Sequence, residues 1–204
     1  ILNGIEKLYL DAGVTIEERG VYDDMASYYG NSMVETVVYD ITDKENPKEM
    51  KTFLQDGDYT SSRLIDGTLY LVSNRYIYPS FDRKQTRMSD LIPVVYDSES
   101  QEAQLLPADK IAIAPSCSTA SYAVVSTLDV STGKVDTQAV LGGSDGVYMS
   151  TKNLYVYYTV YNDTVKNGDS YENTNIIRFS VEENGLKLQK TGMVPGYTDG
   201  QFAF

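Results

Sequence analysis

Val125-Ser126-Thr127-Leu128-Asp129-Val130, then Ser131-Thr132-Gly133-Lys134, then Val135-Asp136-Thr137-Gln138-Ala139-Val140-Leu141 form two β-branched, apolar-rich runs around a four-residue polar turn with a glycine. This pattern predicts an antiparallel hairpin, because branched side chains suit a pleated surface and the short turn reverses the chain. The same hairpin recurs on both sides. Upstream, Val37-Val38-Tyr39-Asp40-Ile41 is followed by a polar turn and Glu49–Leu54. Downstream, Ile177-Arg178-Phe179-Ser180-Val181 is followed by Glu183-Asn184-Gly185 and Leu186–Met193.

Each hairpin is followed by a glycine-bearing segment and two further short strands. After the first come Gly57–Ile65 and Leu69–Val72. After the second come Gly143–Met149 and Leu154–Tyr157. After the third, Gly196-Tyr197-Thr198-Asp199-Gly200-Gln201-Phe202 begins the pattern again. Val130 and Val181 are 51 residues apart, whereas Ile41 and Val130 are 89 apart. A four-stranded unit of about 50 residues is the size of a propeller blade. The longer interval then holds an insertion of roughly 35 residues. The first strand of each unit mixes small and polar residues (Thr60-Ser61-Ser62-Arg63), and the next is almost continuously apolar (Leu154–Tyr158). That order suits an innermost strand beside a channel, followed by a strand buried on both faces; a β-sandwich would alternate more plainly.

The expected fold is therefore all-β: a partial β-propeller of about three four-stranded antiparallel blades plus one extra strand. Blade 1 is expected at about 1–56 and blade 2 at 57–143 with an inserted loop at 75–118. Blade 3 is expected at 144–196, and the first strand of a next blade at 197–204. Propellers close with roughly four to eight blades. Three units plus a strand thus imply an arc of a larger ring, its open sheet edges met by remaining blades or by a second copy. The start at Ile1 rather than Met suggests a processed or excised chain.

Composition narrows the chemistry. Of 204 residues, 29 are acidic and 17 basic, a net charge of -12. Such a surface repels phosphate backbones, so nucleic acid is not an expected partner. No apolar run approaches the ~20 residues that cross a bilayer, so no membrane insertion is expected. There is no histidine, so a Ser-His-Asp triad, a Cys-His pair and a histidine metal site are excluded. Cys117 is the single cysteine, and one thiol makes neither an internal disulfide nor a metal cluster.

Several motifs dissolve on inspection. Ser131-Thr132-Gly133-Lys134 and Lys190-Thr191-Gly192 match two elements of the serine β-lactamases, but that nucleophile must open a helix and Ser131 sits in a hairpin turn. Gly142-Gly143-Ser144-Asp145-Gly146 lacks the lysine and the helix of a phosphate cradle. Asp163, Asn167, Asp169 and Glu172 crowd one loop with hard oxygen ligands that suit Ca2+, without EF-hand spacing. No other cofactor and no catalytic set is expected. Asp40, Asp43 and Glu45 beside Asn46-Pro47 read as turn formers.

A resemblance adds to this reading. Val38-Tyr39-Asp40-Ile41-Thr42-Asp43, Asn46-Pro47, Gly57-Asp58-Tyr59-Thr60-Ser61-Ser62-Arg63-Leu64-Ile65 and Leu69-Tyr70-Leu71-Val72-Ser73-Asn74 resemble bacterial and archaeal secreted proteins with a C-terminal β-propeller domain. So do Ile92-Pro93-Val94, Thr127-Leu128-Asp129-Val130, Val194-Pro195-Gly196 and Gln201-Phe202. The likeness runs from about residue 5 to the end and implies a secreted or surface location, with domains longer than this chain.

Two groups of residues are then expected to bind. Tyr59, Ser61 and Arg63 share one strand face by period two. Tyr76, Tyr78 and Phe81 lie in the inserted loop, where aromatics stack on sugars or anchor a protein. The expected function is a binding or scaffold module, not an enzyme, for a protein or carbohydrate at the cell surface. The alternative is a propeller enzyme acting on carbohydrate through tyrosines and carboxylates at the channel mouth, with Asp58, Asp145 and Asp199 at matching positions.

Overall fold

The computed structural model describes residues 32–77, 88–114, 117, 120–142, 144–162, 171–182 and 185–198. They build three sheets. The first has the order β1-β2-β5-β6, from Met33–Asp40, Lys48–Asp56, Val94–Asp97 and Glu102–Leu105. The second has the order β3-β4-β8-β9-β7, from Asp58–Ile65, Thr68–Tyr76, Ser121–Asp129, Val135–Leu141 and Ile111–Ile113. The third has the order β10-β11-β12-β13, from Gly146–Met149, Asn153–Asn162, Tyr171–Glu182 and Gly185–Pro195. All pairings are antiparallel except β7 with β9. A four-residue helix, α1 (Met88–Leu91), precedes β5.

Three stacked antiparallel sheets without a closed ring are the partial propeller that the hairpin repeat predicts. The repeat holds in fine detail. In the first hairpin the register shifts between Val38 and Tyr39, leaving Met50 unmatched on β2. In the third it shifts between Arg178 and Phe179, leaving Gln189 unmatched on β13. These two bulges fall at the same position of the repeat, and each sharpens the twist of its hairpin.

The stretch 75–118, expected as an irregular loop within the second unit, has a different role where it is described. β5 and β6 extend the first sheet, with Phe53 opposite Asp97 and Gln55 opposite Val95, and β7 adds an outer strand to the second. The physical reason is the edge of β2: three of its last four residues are fully buried, and their backbone groups need partners that only another strand supplies. Of its prolines, Pro93 directly precedes β5 and Pro107 lies between β6 and β7.

The second sheet is covered on both faces, so eight of the nine residues of β8 are buried. Toward the third sheet, Tyr70, Val72, Ala123, Val125 and Val140 meet Leu154, Val156, Tyr158, Ile177, Phe179 and Leu186. Burial there, with the Cys117 thiol nearby, pushes the Tyr158 phenol up to about 12. Toward the first sheet the apolar packing is smaller, around Leu106, Tyr122, Val124 and Ala139, and a polar network completes the contact. Gln55 Nε2 donates to Ser73 Oγ at 2.8 Å and to the Val124 carbonyl, and Ser73 Oγ donates to the Asp56 carbonyl. Arg75 Nε pairs with Asp56 Oδ2 at 2.5 Å, and Arg75 Nη2 donates to the Ser89 carbonyl. Gly57 joins the two sheets with φ +102°; a Cβ there would stand 2.8 Å from the Asn74 backbone, so only glycine fits.

Removing either partner of the buried Asp56–Arg75 pair strands the other charge, so Asp56→Ala and Arg75→Ala each lower stability by about 3–5 kcal/mol. Asp58→Ala, at an exposed residue two positions on, stays within about 0.5 kcal/mol. Urea unfolding followed by circular dichroism separates the three.

Candidate functional site

β3 forms one edge of the second sheet, so its outward N–H and C=O groups are unpaired within that sheet. Its side chains do not follow simple alternation. Tyr59 pairs with Ser73 and Ser61 with Val72, which leaves Thr60 as a bulge residue. Consecutive residues of β4 point to opposite faces, so the bulge turns Tyr59 away from Ser61. Tyr59 shares its face with Ser62, and its hydroxyl lies 3.0 Å from Ser62 Oγ. Ser61 and Arg63 share the other face, with Arg63 Nη1 donating to Ser61 Oγ at 3.5 Å and to the Ser62 carbonyl at 2.7 Å. The expectation that Tyr59, Ser61 and Arg63 act from one face is therefore corrected: the strand presents a tyrosine–serine pair on one side and an arginine–serine pair on the other. Tyr59 is 60% exposed and Arg63 is exposed. Beside Tyr59 a groove of about 460 Å3 runs between Ser32–Glu35 and Gly57–Tyr59.

The loop aromatics do not extend this site toward Arg63. Tyr76 is exposed at the far end of β4, beyond the Asp58–Asn74 pair, whereas Arg63 pairs with Tyr70. Tyr78 and Phe81 lie outside the described residues. Of the three acids at matching positions, Asp199 also lies outside them. Asp145 Oδ2 accepts the Thr159 N–H at 2.5 Å, so its carboxylate serves the backbone. Asp163, Asn167 and Asp169 lie outside the described residues, and Glu172 stands on β12 opposite Tyr161. Among the described residues no group of three His, Cys, Asp or Glu side chains converges.

The turn carboxylates behave as turn formers. Asp129 Oδ1 accepts from Ser131 Oγ at 2.6 Å and from the N–H groups of Ser131 and Thr132, both at 2.9 Å. These bonds hold its carboxyl down to about 2. Ser131 thus donates its hydroxyl to a turn carboxylate, which leaves Ser131-Thr132-Gly133-Lys134 as hairpin chemistry. Thr42 does the same to Asp40, again lowering the acid.

A second concavity, of about 310 Å3, was not foreseen. It lies where Val38, Met50 and Lys51 of the first sheet and the Ser98-Glu99 turn meet Val130–Gly133 of the second. Lys51 is buried there, with Nζ 2.5 Å from Asp97 and 3.3 Å from Glu99. Its acids come from the β5–β6 turn, nearly fifty residues away, so only the alternation of Lys51 with buried Phe53 and Gln55 hinted that the lysine points inward.

In comparison with known proteins, the family model described as "Beta propeller domain" matches residues 7–204. No curated protein and no solved structure matches the chain.

Asp129 supplies a pH test. Its folded value lies below the ordinary 3.8, so its contribution to stability is full above about 4 and disappears as the pH falls toward 2. Asp129→Asn is expected to be less stable at pH 5 and to lose that part of the acid dependence. An NMR titration of the Asp129 carboxyl places its midpoint near 2 if the turn bonds hold in solution.

Proposed function

We propose that this chain, which belongs to the Beta propeller domain family, is a binding and scaffold module on the outside of a cell, recognising a protein or a carbohydrate through the exposed edge of β3. The observation that carries this reading is β3 itself. It is an edge strand that offers backbone hydrogen-bonding groups together with Tyr59–Ser62 on one face and Ser61–Arg63 on the other. An amphipathic tyrosine and an arginine are the side chains that most often dominate binding energy. The adjacent groove at Gly57–Tyr59 gives a ligand a concave seat.

The net charge of -12 favours partners other than polyanions. The surface location rests on the likeness of the Tyr-Asp-Ile-Thr-Asp to Ser-Ser-Arg block to secreted proteins. Cell fractionation of the source organism tests that part. The hydrolase alternative draws little from the site, because the Asp145 carboxylate is committed to the Thr159 N–H.

The test is direct. The labelled chain is applied to arrays of surface glycans and surface proteins beside Tyr59→Ala and Arg63→Ala. Either variant should weaken a bound partner by roughly tenfold or more while stability stays within about 0.5 kcal/mol. Unchanged binding by both variants would sink the β3 assignment. Turnover of an array glycan by the chain would sink the non-enzymatic reading.

A further inference from the structure

Among the described residues three cations stand within ion-pair distance of carboxylates, and they differ in the chemistry open to them. Arg75 keeps its proton, so its contact with Asp56 stays an ion pair. Lys110 Nζ lies 2.6 Å from Asp136, but that lysine side chain is 39% exposed and meets one described carboxylate. Lys51 Nζ meets two, Asp97 Oδ1 at 2.5 Å and Glu99 Oε2 at 3.3 Å, with the lysine side chain only 6% exposed.

The backbone holds these three groups together. Phe53 stands opposite Asp97 across β2 and β5, and Lys51 lies two residues before Phe53, so Lys51 and Asp97 are diagonal neighbours on one face. Past Asp97 the two strands stay joined: the Ser98 N–H donates to the Thr52 carbonyl at 2.9 Å, and the Thr52 N–H donates to Ser98 Oγ at 3.0 Å. The β8–β9 turn covers the lysine stem, where a Cβ on Gly133 would stand 3.5 Å from Lys51 Cδ. Glu99 enters twice. Its N–H donates to Asp97 Oδ1 at 2.8 Å, and its carboxylate reaches Lys51 Nζ. The lysine nitrogen is thus separated from the Asp97 carboxyl carbon by one contact and one C–O bond. A donor sits on the carboxyl oxygen and a base sits on the nitrogen. Such fixed proximity turns a slow condensation into an intramolecular step.

We propose that Lys51 and Asp97 become joined by an amide bond between Nζ and Cγ, formed by the folded chain itself with release of water. Glu99 carries a proton from the Lys51 ammonium to Asp97 Oδ2, which leaves a neutral amine beside a neutral carboxylic acid. The nitrogen lone pair adds to Cγ, and the C=O electron pair moves onto Oδ1, where the Glu99 N–H meets the developing charge. Glu99 takes a second proton from the nitrogen and delivers it to Oδ2. The pair on Oδ1 returns, the Cγ–Oδ2 bond breaks, and Oδ2 leaves as water. The amide keeps one N–H. Nothing is oxidised or reduced, and no co-reactant enters. The bond closes a loop that contains β3 and β4 and fastens β5 to the edge of β2.

Intact-mass measurement of the denatured 204-residue chain should find it lighter than its sequence by one water. Tandem mass spectrometry of a tryptic digest should place the link between Lys51 and Asp97, with no cleavage after Lys51. Lys51→Arg should keep the full mass of its own sequence, whereas Lys110→Arg should still lose one water. Glu99→Gln, at a side chain 82% exposed, should slow bond formation roughly a hundredfold with an unchanged circular dichroism spectrum. A native chain that keeps its full sequence mass after days at neutral pH overturns the inference. So does a link to Glu99 or to any other carboxylate, and so does a bond that forms as fast in Glu99→Gln.

Discussion

The buried ion pair between Asp56 and Arg75 holds together three pieces of chain that are remote in sequence. The Asp56 carboxylate ends β2 and receives Arg75 Nε from β4 and the Val94 N–H at 3.1 Å from the start of β5, while Arg75 also bonds the Ser89 carbonyl of α1. A carboxylate this deeply buried, at 1% exposure, is tolerable only when its oxygens are occupied. That requirement places β4 on one side of Asp56 and β5 on another. The first sheet is consequently completed by residues that follow half of the second sheet in sequence, and the two are registered by hydrogen bonds. The second and third sheets are registered mainly by apolar packing, a contact that contributes more stability per area and less directional selection.

The repeat was legible because hairpin chemistry is local. Branched runs around Gly133 and Gly185 announce strands and turns without reference to the rest of the chain, and their spacing of 51 residues announces the blade. The acids near these turns were legible for the same reason, since Asp40 and Asp129 bond within three residues of themselves. The strands of 94–105 were not legible. They are four residues each, too short for a periodic signal, and what stabilises them is the edge of β2, which no local pattern describes.

At β3 the strand was legible and the facing of its side chains was not. Period two follows only from an unbroken ladder, and the extra residue Thr60 breaks it. No glycine marks the bulge, so nothing in Tyr59-Thr60-Ser61 distinguishes it from regular strand. The Lys51 cleft was hidden differently, because a buried lysine reads as an exposed one until the acids that neutralise it are known. Arg178 repeats the problem one sheet later. Its neighbours Ile177 and Phe179 are fully buried, and its own Nε is buried without a hydrogen-bond partner among the described residues.

The interleaving of the first two sheets has a consequence for how the polypeptide acquires its shape. The third sheet is built from one continuous stretch, Gly146–Pro195, with each strand paired to its sequence neighbour. The first sheet waits for Val94–Leu105 to arrive after β3 and β4, and the second waits for β8 and β9 after that. Contacts of such separation form late, because loop closure must precede their reward. The first two sheets, built between Met33 and Leu141, therefore gain or lose their order together. The last sheet is local in its wiring and forms its ladder without waiting for the others, yet its opening exposes the Tyr70, Val72 and Val125 face of the second sheet that it covers.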